Sequence, residues 1–314
     1  MKFSITIPSF KTLYLKEAIE SIISQTYPDW ELVIVDDCSP EDIAGVVKPY
    51  LADHRVRYYR NEKNCGAENV VDNWNICLNY CTGDYVICIG DDDRLLPCCL
   101  EEYKKLIEKY PNLNVYHART EIIDERGLVA EKTATRPERE DVLTMMTERW
   151  NGRNQFIGDF CYKREHLVSQ GGYYVLPFAW GSDDITAFRA ALTDGIANTE
   201  KAGFQYRENR NSISLSYNDR EKADAVMLQK KWYISIIKKL QTDNICSEDM
   251  LLKAKLSMRV YLKDLIVHHV YRDIKRGGME SYMFWVDNRS NYGVSYLALT
   301  IMYLKSLVLQ WIKN

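Results

Sequence analysis

Nowhere does this sequence run through the ~20 uninterrupted apolar residues that a membrane-spanning helix needs. A basic excess is missing as well. Lysine and arginine number 41 against 44 aspartates and glutamates, a net charge of −3, so there is no global positive field of the kind a nucleic-acid binder uses. The nine cysteines show no paired metal-site spacing. Cys98 and Cys99 are adjacent, Cys77 and Cys81 stand a helical turn apart, and Cys88 and Cys161 sit in apolar runs, where a free thiol behaves as a small hydrophobe. Such usage points to a reducing compartment, and the expected location is the cytoplasm. The opening "MKFSITIPSF" has no apolar core ahead of a small-residue cleavage site, so it does not read as a signal peptide. There is no internal repeat and no low-complexity tract. Glycine is absent from "PSFKTLYLKEA" (8–18), directly after the first strand-like run, which argues against the Gly-rich phosphate loop of a nucleotidyltransferase.

What is present is an ordinary globular composition, 46% apolar and 27% charged over 314 residues, enough for one large core or a main domain with an appendage. The first half alternates two periods. "FSITIPS" (3–9), "WELVIVDD" (30–37), "VRYYRN" (56–61), the run at 85–89 and a segment near 114–123 read as strands. Between them fall helical patterns: one with Leu15, Ala18, Ile19, Ile22 and Ile23 in phase, one reaching about residue 53, one with Trp74, Cys77, Leu78 and Cys81 on its apolar side, and one from Pro97 to about Lys109. Apolar, non-alternating strands separated by helices imply an α/β protein with a mostly parallel sheet flanked by helices on both faces. Residues 124–154 read as a loop with a short helix, "NQFIGDFCYKREHL" as a further strand, "SQGGYY" as a Gly-Gly turn, and "WGSDDITAFRAALTDG" as a helix opened by Ser182, a plausible N-cap. Residues 219–276 are helical in period, giving an expected division into 1–215 and a helical 216–314.

In such sheets ligands bind at the carboxyl ends of the strands. Strand one ends in Pro8-Ser9-Phe10, strand two in Asp36-Asp37 and strand four in Asp91-Asp92-Asp93, so five carboxylates are expected on one edge. Adjacent like charges raise each other's pKa unless a cation sits among them, and a hard divalent ion held by one or two carboxylates and substrate phosphates is the usual solution. On extended backbone Asp91 and Asp93 would share a face, with Asp92 turned toward a sugar or ribose hydroxyl. The alternative is a solvated acidic turn or a cap for the helix near Pro97. Asp36-Asp37 likewise has a plain reading as turn residues, and His268-His269 and the adjacent Cys98-Cys99 read as structural.

At this point the residues resemble a family. "ITIPSF…LKEAIESIISQTYPDWELVIVDDCSPED", "NEKNCGAENVVDNWNICLNYCTGDYVICIGDDDRLLPCCLEEY" and "GGYYVLPFAWGSDDITAFR", in that order over roughly residues 3–215, are similar to an inverting family 2 glycosyltransferase of bacterial surface-polysaccharide type. The resemblance implies the GT-A (Rossmann-like) fold, a Mn²⁺ or Mg²⁺ cofactor, a nucleotide-diphosphate-sugar donor (UDP-linked) and a saccharide or lipid-linked saccharide acceptor, as in capsule, lipopolysaccharide or exopolysaccharide synthesis. It puts Pro8, Ser9 and Phe10 in the nucleobase pocket, with Asp37 and Asp36 accepting from the uracil or ribose. Asn64 and Gly66 fall in the loop beside base and diphosphate, Asp91 and Asp93 at the metal, and Asp92 near the donor. Two positions depart from the family pattern: Lys11 stands where asparagine is frequent, and Gly90 takes the first position of a D-x-D-D register, which would move the metal onto Asp92 and Asp93. Arg207 and Arg210 fall where such enzymes place a basic group near the leaving diphosphate.

An inverting displacement also needs a base on the face opposite the leaving group, so the metal cluster cannot serve. After residue 154, Asp183-Asp184 is the one adjacent acidic pair that follows a Gly-Gly turn and an aromatic. Asp183 is the first choice, since the family spaces its aspartate six positions before a basic residue, as Asp183 stands to Arg189. Decoration of a helix N-terminus is the plain alternative for both. A phosphatase with an aspartate nucleophile would leave this segment idle, and a non-catalytic nucleotide-sugar binder or scaffold is the remaining rival. In 296–313, Leu297, Ile301, Leu304, Val308 and Trp311 form one stripe, and 253–276 carry seven Lys/Arg against two Asp. Together they fit a helix lying on an anionic inner leaflet, or one packed on the catalytic domain or a second subunit.

Overall fold

The computed structural model describes residues 1–209, 218–243 and 246–313. It divides into two compact units, residues 1–175 with 182–212, and residues 176–181 with 213–314.

The first unit opens with β1 (Phe3–Ser9), α1 (Leu15–Ile23), β2 (Trp30–Asp36), α2 (Ile43–Val47), β3 (Val56–Arg60), α3 (Val70–Asn79) and β4 (Tyr85–Cys88). It continues through β5 (Arg94–Leu95), α4 (Cys99–Lys109), β6 (Val115–Ile123), β7 (Val129–Lys132), β8 (Arg139–Glu140), α5 (Val142–Trp150), β9 (Phe160–Lys163), α6 (Arg164–Ser169), α7 (Ser182–Ala191) and β10 (Ile196–Arg207). Among the described residues the strands form a single ten-stranded sheet whose main path runs β3-β2-β1-β4-β9-β6-β10-β5, with β7 beside β6 and β8 beside β10. β3, β2, β1 and β4 are mutually parallel, and β6 and β10 are parallel to each other. β9 runs antiparallel to both β4 and β6. Six of the eight strands on the path therefore point one way, and β9 presents its first residues, not its last, at their carboxyl edge.

Alternation along each strand sorts the apolar side chains between the two faces. Phe3, Ile5, Ile7, Leu32, Ile34 and Ile87 join one core with Leu15, Ile19 and Ile22 of α1, Ile43 and Val47 of α2, and Leu100 and Tyr103 of α4. Val33 and Val35 turn to the opposite face and meet Cys77 of α3. Helices thus cover both faces, as the periodicity implies.

Three local expectations differ. The helix after residue 42 stops at Val47 and continues as a 3₁₀ turn over Lys48–Ala52, because Pro49 lacks the N–H that an α-helix needs there. The segment 124–154 holds the expected short helix, α5, within its loops but adds two short strands, β7 and β8; α5 is capped by Asp141, whose side chain accepts from the Thr144 N–H at 2.9 Å. The strand expected across 154–167 shrinks to the four residues of β9. Asp159 Oδ2 accepts from the Phe156 N–H at 3.0 Å and folds 156–159 into a turn, and Gly158 passes so close to Phe204 that a Cβ would fall 2.4 Å from its ring.

The second unit contains α8 (Asp219–Thr242), α9 (Glu248–Tyr292) and α10 (Tyr296–Lys313). Ser247 caps α9 through its side chain, and α9 bends at Gly278, whose φ of 57° is left-handed and favours glycine. α10 packs on α9 through Leu299 and Met302, with the Tyr282 and Tyr303 rings 4.9 Å apart. The stripe expected at the tail is a different one: Leu297, Ile301, Leu304 and Val308 point outward and stay 44–69% exposed. Among the described residues no helix is long and apolar enough to cross a membrane. The side chain of Trp311, like Arg210, lies outside the described residues.

Candidate active site

The carboxyl ends of β1 and β2 are tied into one corner. The Asp37 N–H donates to the Ser9 carbonyl at 2.9 Å, and Ser39 Oγ donates to the Phe10 carbonyl at 2.6 Å. The 61–66 loop wraps this corner, with Asn64 Nδ2 donating to the Asp37 carbonyl and the Cys65 N–H to Asp37 Oδ1, both at 2.9 Å. Gly66 makes the turn with φ 81°. The structure thus brings together Ser9, Phe10, Asp37, Asn64 and Gly66, with Pro8 beside them in the chain. Phe10 is 40% exposed, as an aromatic face offered to a flat ring would be, whereas Ser9 is fully buried with no hydrogen-bond partner for its hydroxyl among the described residues.

Asp36 is held deeper than Asp37. It is fully buried, and its carboxylate accepts from the Ser39 N–H at 2.7 Å, from Tyr58 Oη at 2.8 Å and from Arg60. It braces the corner instead of facing a ligand, and Asp37 is the member of the pair left nearer the surface.

Across from them, the three consecutive aspartates separate into different jobs. Asp91 Oδ2 accepts from the backbone N–H groups of Phe10 and Lys11, each at 2.7 Å, linking β4 to the end of β1. Asp92 and Asp93 converge elsewhere: a Cβ placed on Gly90 would lie 2.7 Å from Asp92 Oδ1 and 2.9 Å from Asp93 Oδ2. Both carboxylates therefore crowd the space over Gly90, and an aspartate at that position would collide with them. Burial pushes Asp91 up to about 6; burial also raises Asp92, and burial with the Asp92 charge holds Asp93 well above the usual carboxylate range.

Arg207 closes this loop from β10. Its backbone N–H donates to Asp93 Oδ1 at 2.9 Å and its Nε to the Asp92 carbonyl at 2.8 Å. The rest of the guanidinium is spent on the Asp124 and Glu125 carbonyls and on Glu17 Oε2 at 2.7 Å, and its ion-paired side chain has no exposed surface. It lies over the Tyr14 ring, 4.0 Å from the centroid. Arg207, expected beside a diphosphate, is thus buried and engaged by partners within the protein, with two of its bonds made to the acidic loop. Glu17, which ties both Arg207 and Arg94 to α1, carried no signal in the sequence beyond a place on the polar side of a helix.

The buried carboxylates also test for the expected metal. Among the described residues no group of three or more His, Cys, Asp or Glu is arranged around one ion. Two carboxylates that crowd one point and are pushed toward protonation are nonetheless a donor set that a hard divalent cation would satisfy, with substrate phosphates completing it. The residues fit the group in that two-carboxylate form, through Asp92 and Asp93.

The second acidic pair lies at the start of α7. Asp184 is fully buried and engaged: Arg149 Nε donates to both its oxygens at 2.9 and 3.0 Å, and Gln155 Nε2 donates at 2.6 Å. Asp183 is partly exposed, and its Oδ1 accepts from the Asp184 N–H at 2.9 Å. Burial and the neighbouring Asp184 charge raise it to about 7, with Asp159 adding to the rise against Arg149. Asp159 immediately precedes the reversed strand β9, so it marks the carboxyl edge, and it too is raised by burial to about 7. The two aspartates thus differ: Asp184 is buried within a network of Arg149 and Gln155, and Asp183 is partly exposed with its carboxyl raised to about 7. Asp159, Arg149 and Gln155 escaped the sequence reading because each sits in a segment expected to be strand or loop.

With this geometry in place, similarity to known proteins is informative. The profile of "Glycosyl transferase family 2" matches residues 4–173, that is 170 of 314 residues. The chain is 34% identical over 116 residues to the putative glycosyltransferase EpsE of Bacillus subtilis, covering 36% of this chain and 41% of that protein. It is 34% identical over 97 residues to GalNAc(5)-diNAcBac-PP-undecaprenol beta-1,3-glucosyltransferase of Campylobacter jejuni, covering 30% of this chain and 31% of that protein. The matched stretch thus spans well under two thirds of either relative. In three dimensions, S. aureus TarS 1–349 in complex with UDP-GlcNAc superposes with a TM-score of 0.63 at 17% identity, covering 93% of this chain and 78% of that one, a likeness of fold. The family profile across more than half the chain and the shared architecture agree with the acidic carboxyl edge: this chain belongs to glycosyl transferase family 2 and has the GT-A fold.

Proposed function

We propose that the protein is a metal-dependent inverting glycosyltransferase that moves a sugar from a UDP-sugar to a hydroxyl of a growing saccharide, as in capsule, lipopolysaccharide or exopolysaccharide synthesis. One observation carries the reading: two acidic sites of different chemistry, Asp92 with Asp93 converging over Gly90 and Asp183 raised to about 7. Membership of a family that often uses divalent metals supports it, as do the saccharide-linked relative and the nucleotide-sugar complex of the structural neighbour.

Pro8, Ser9, Phe10, Asp37, Asn64 and Gly66 form the corner that receives the nucleoside, with Phe10 against the base. Asp92 and Asp93 hold Mn²⁺ or Mg²⁺. Bound there, the ion supplies positive charge to the leaving diphosphate. Asp183 accepts the proton of the acceptor hydroxyl as that oxygen attacks the anomeric carbon. A carboxyl near 7 suits this task, since a base is most effective when its pKa lies near the working pH. The neighbouring Asp184 raises Asp183, and Arg149 and Gln155 keep Asp184 in place. The outward stripe of α10 rests on the inner leaflet of the cytoplasmic membrane, consistent with a lipid-linked acceptor.

A thermal-shift panel of nucleotide-sugars with and without Mn²⁺ tests the reading. At ~100 times its Kd a donor should stabilise the fold by about 2.7 kcal/mol, only when metal is present. No stabilisation by any donor, or equal stabilisation without metal, would overturn it.

A further inference from the structure

α8 and α9 run antiparallel. At one end His269 Nδ1 lies 3.0 Å from Asp219 Oδ1, and at the other Lys255 Nζ donates to Gln241 Oε1 at 2.9 Å. Between these helices and the α9–α10 junction lies a groove of about 860 Å³, within the ~300–1,000 Å³ usual for small-molecule sites. Its floor is apolar, with Ile237, Met258, Leu262 and Ile266 from the facing helices.

The two ends of the groove differ. Toward the junction it is lined by Val226, Val267, Val294 and Ala298, and Tyr292 Oη donates to Asp224 Oδ1 at 2.6 Å, tying the junction to α8. Toward the last turn of α8 stand Lys238, Lys255 and Arg259, and Lys230 and Lys263 face each other midway. No aspartate or glutamate lines the groove, and among the described residues none of these five cations is ion-paired. Surfaces built only for solubility intersperse both signs. Five like charges around an apolar trough repel one another until an anion joins them.

We infer that this groove binds an amphiphile with one apolar chain and a phosphate head, a phosphorylated lipid. The chain lies along the apolar floor toward Val294 and Ala298, and the head meets Lys238, Lys255 and Arg259. An acidic amphipathic helix fits less well, because a groove of about 860 Å³ has the size of a small-molecule site. The site lies wholly within the helical unit and requires no catalytic step, so it goes beyond the transferase reading.

The test is isothermal titration of the protein with monododecyl phosphate below its micelle-forming concentration, beside dodecanol, inorganic phosphate and anionic phospholipid vesicles. Saturable one-to-one binding is expected for the alkyl phosphate, at least 10-fold tighter than for the alcohol or phosphate alone. The triple variant Lys238→Glu, Lys255→Glu, Arg259→Glu, which changes no buried residue, should weaken it at least 10-fold. Ala298→Trp should weaken it by filling the chain end; should that variant fail to fold, the charge reversal decides. Undiminished binding by the charge-reversed protein, inorganic phosphate binding as well as the alkyl phosphate, or adherence to vesicles without one-to-one binding each overturns the inference. Mn²⁺-dependent UDP-sugar stabilisation measured on the same samples tells failure of this site from failure of the catalytic reading.

Discussion

The Arg207 N–H donates to Asp93 Oδ1 at 2.9 Å across 114 positions of chain, so the last residue of β10 sets the orientation of the carboxylate directly before β5. The same arginine fixes the Asp92 carbonyl through Nε. Arg207→Lys keeps the charge and the backbone bond but loses the fork that reaches Asp92, Asp124, Glu125 and Glu17. Groups that orient metal ligands are typically worth about 10–100-fold in metal affinity or activity. A Mn²⁺ titration in the presence of UDP should show a loss of that size, with the far-ultraviolet circular dichroism unchanged. Wild-type Mn²⁺ affinity in Arg207→Lys would remove the positioning role.

Asp92→Asn and Asp93→Asn should each abolish Mn²⁺-dependent stabilisation by UDP, since both carboxylates converge over Gly90. Asp91→Asn should retain most of it, because Asp91 is engaged with the Phe10 and Lys11 backbone. Thermal melting with UDP and Mn²⁺ makes the comparison. The reverse ordering would return the metal to Asp91.

Asp183→Asn should lower transfer by roughly 10²-fold or more, the lower range for loss of a general base, while donor and Mn²⁺ affinity stay unchanged. In the wild type the rate should climb as pH rises through about 7 and level off above it, because Asp183 must be ionised to accept a proton. A flat profile between pH 6 and 8, or transfer within a few-fold of wild type in the variant, would exclude Asp183 as the base.

The same residue should cost stability. Its carboxyl titrates at about 7 in the fold against an ordinary 3.8, so its contribution to stability is complete below about pH 4 and is lost as pH rises through 7. Asp183→Asn, which cannot ionise, should therefore melt higher than the wild type at pH 8 and about equal to it at pH 4. Equal melting at both values would show that the carboxyl is not perturbed.

Arg149→Ala leaves Asp184 buried with its main cationic partner gone. Removing one partner of a buried pair costs about 3–5 kcal/mol, and urea unfolding at pH 8 should show a loss of that order. Arg149→Ala, Asp184→Asn together should recover part of it. No recovery would mean that the pair is not the source of the cost.

Replacing the exposed Leu297, Ile301 and Leu304 of α10 by serine should reduce sedimentation with anionic vesicles while leaving the melting temperature within a few degrees, because Leu299 and Met302 hold the helix on α9. Unfolding, or dissociation of an oligomer with vesicle binding intact, would assign the stripe to protein packing.

The periods of the sequence by themselves determined the alternation of strands and helices and the convergence of β1, β2 and β4 on one acidic edge. Those features depend on local side-chain spacing, and the carboxyl-edge rule follows from strand direction alone. The C-terminal helices and the apolar stripe of α10 are local in the same sense. What tertiary structure alone decided is which partners each member of an acidic group meets. Asp91, Asp92 and Asp93 are chemically alike and adjacent, and they part company only because the Phe10–Lys11 backbone arrives from 80 or more residues away and Arg207 from 114. Asp36 and Asp37 are separated by Arg60 and Tyr58, Asp183 and Asp184 by Arg149 and Gln155. The length of β9 was equally out of reach, since it turns on Gly158 meeting Phe204. Adjacent residues of one type carry the same local signal; burial and hydrogen bonds made by distant parts of the chain are what give them different surroundings.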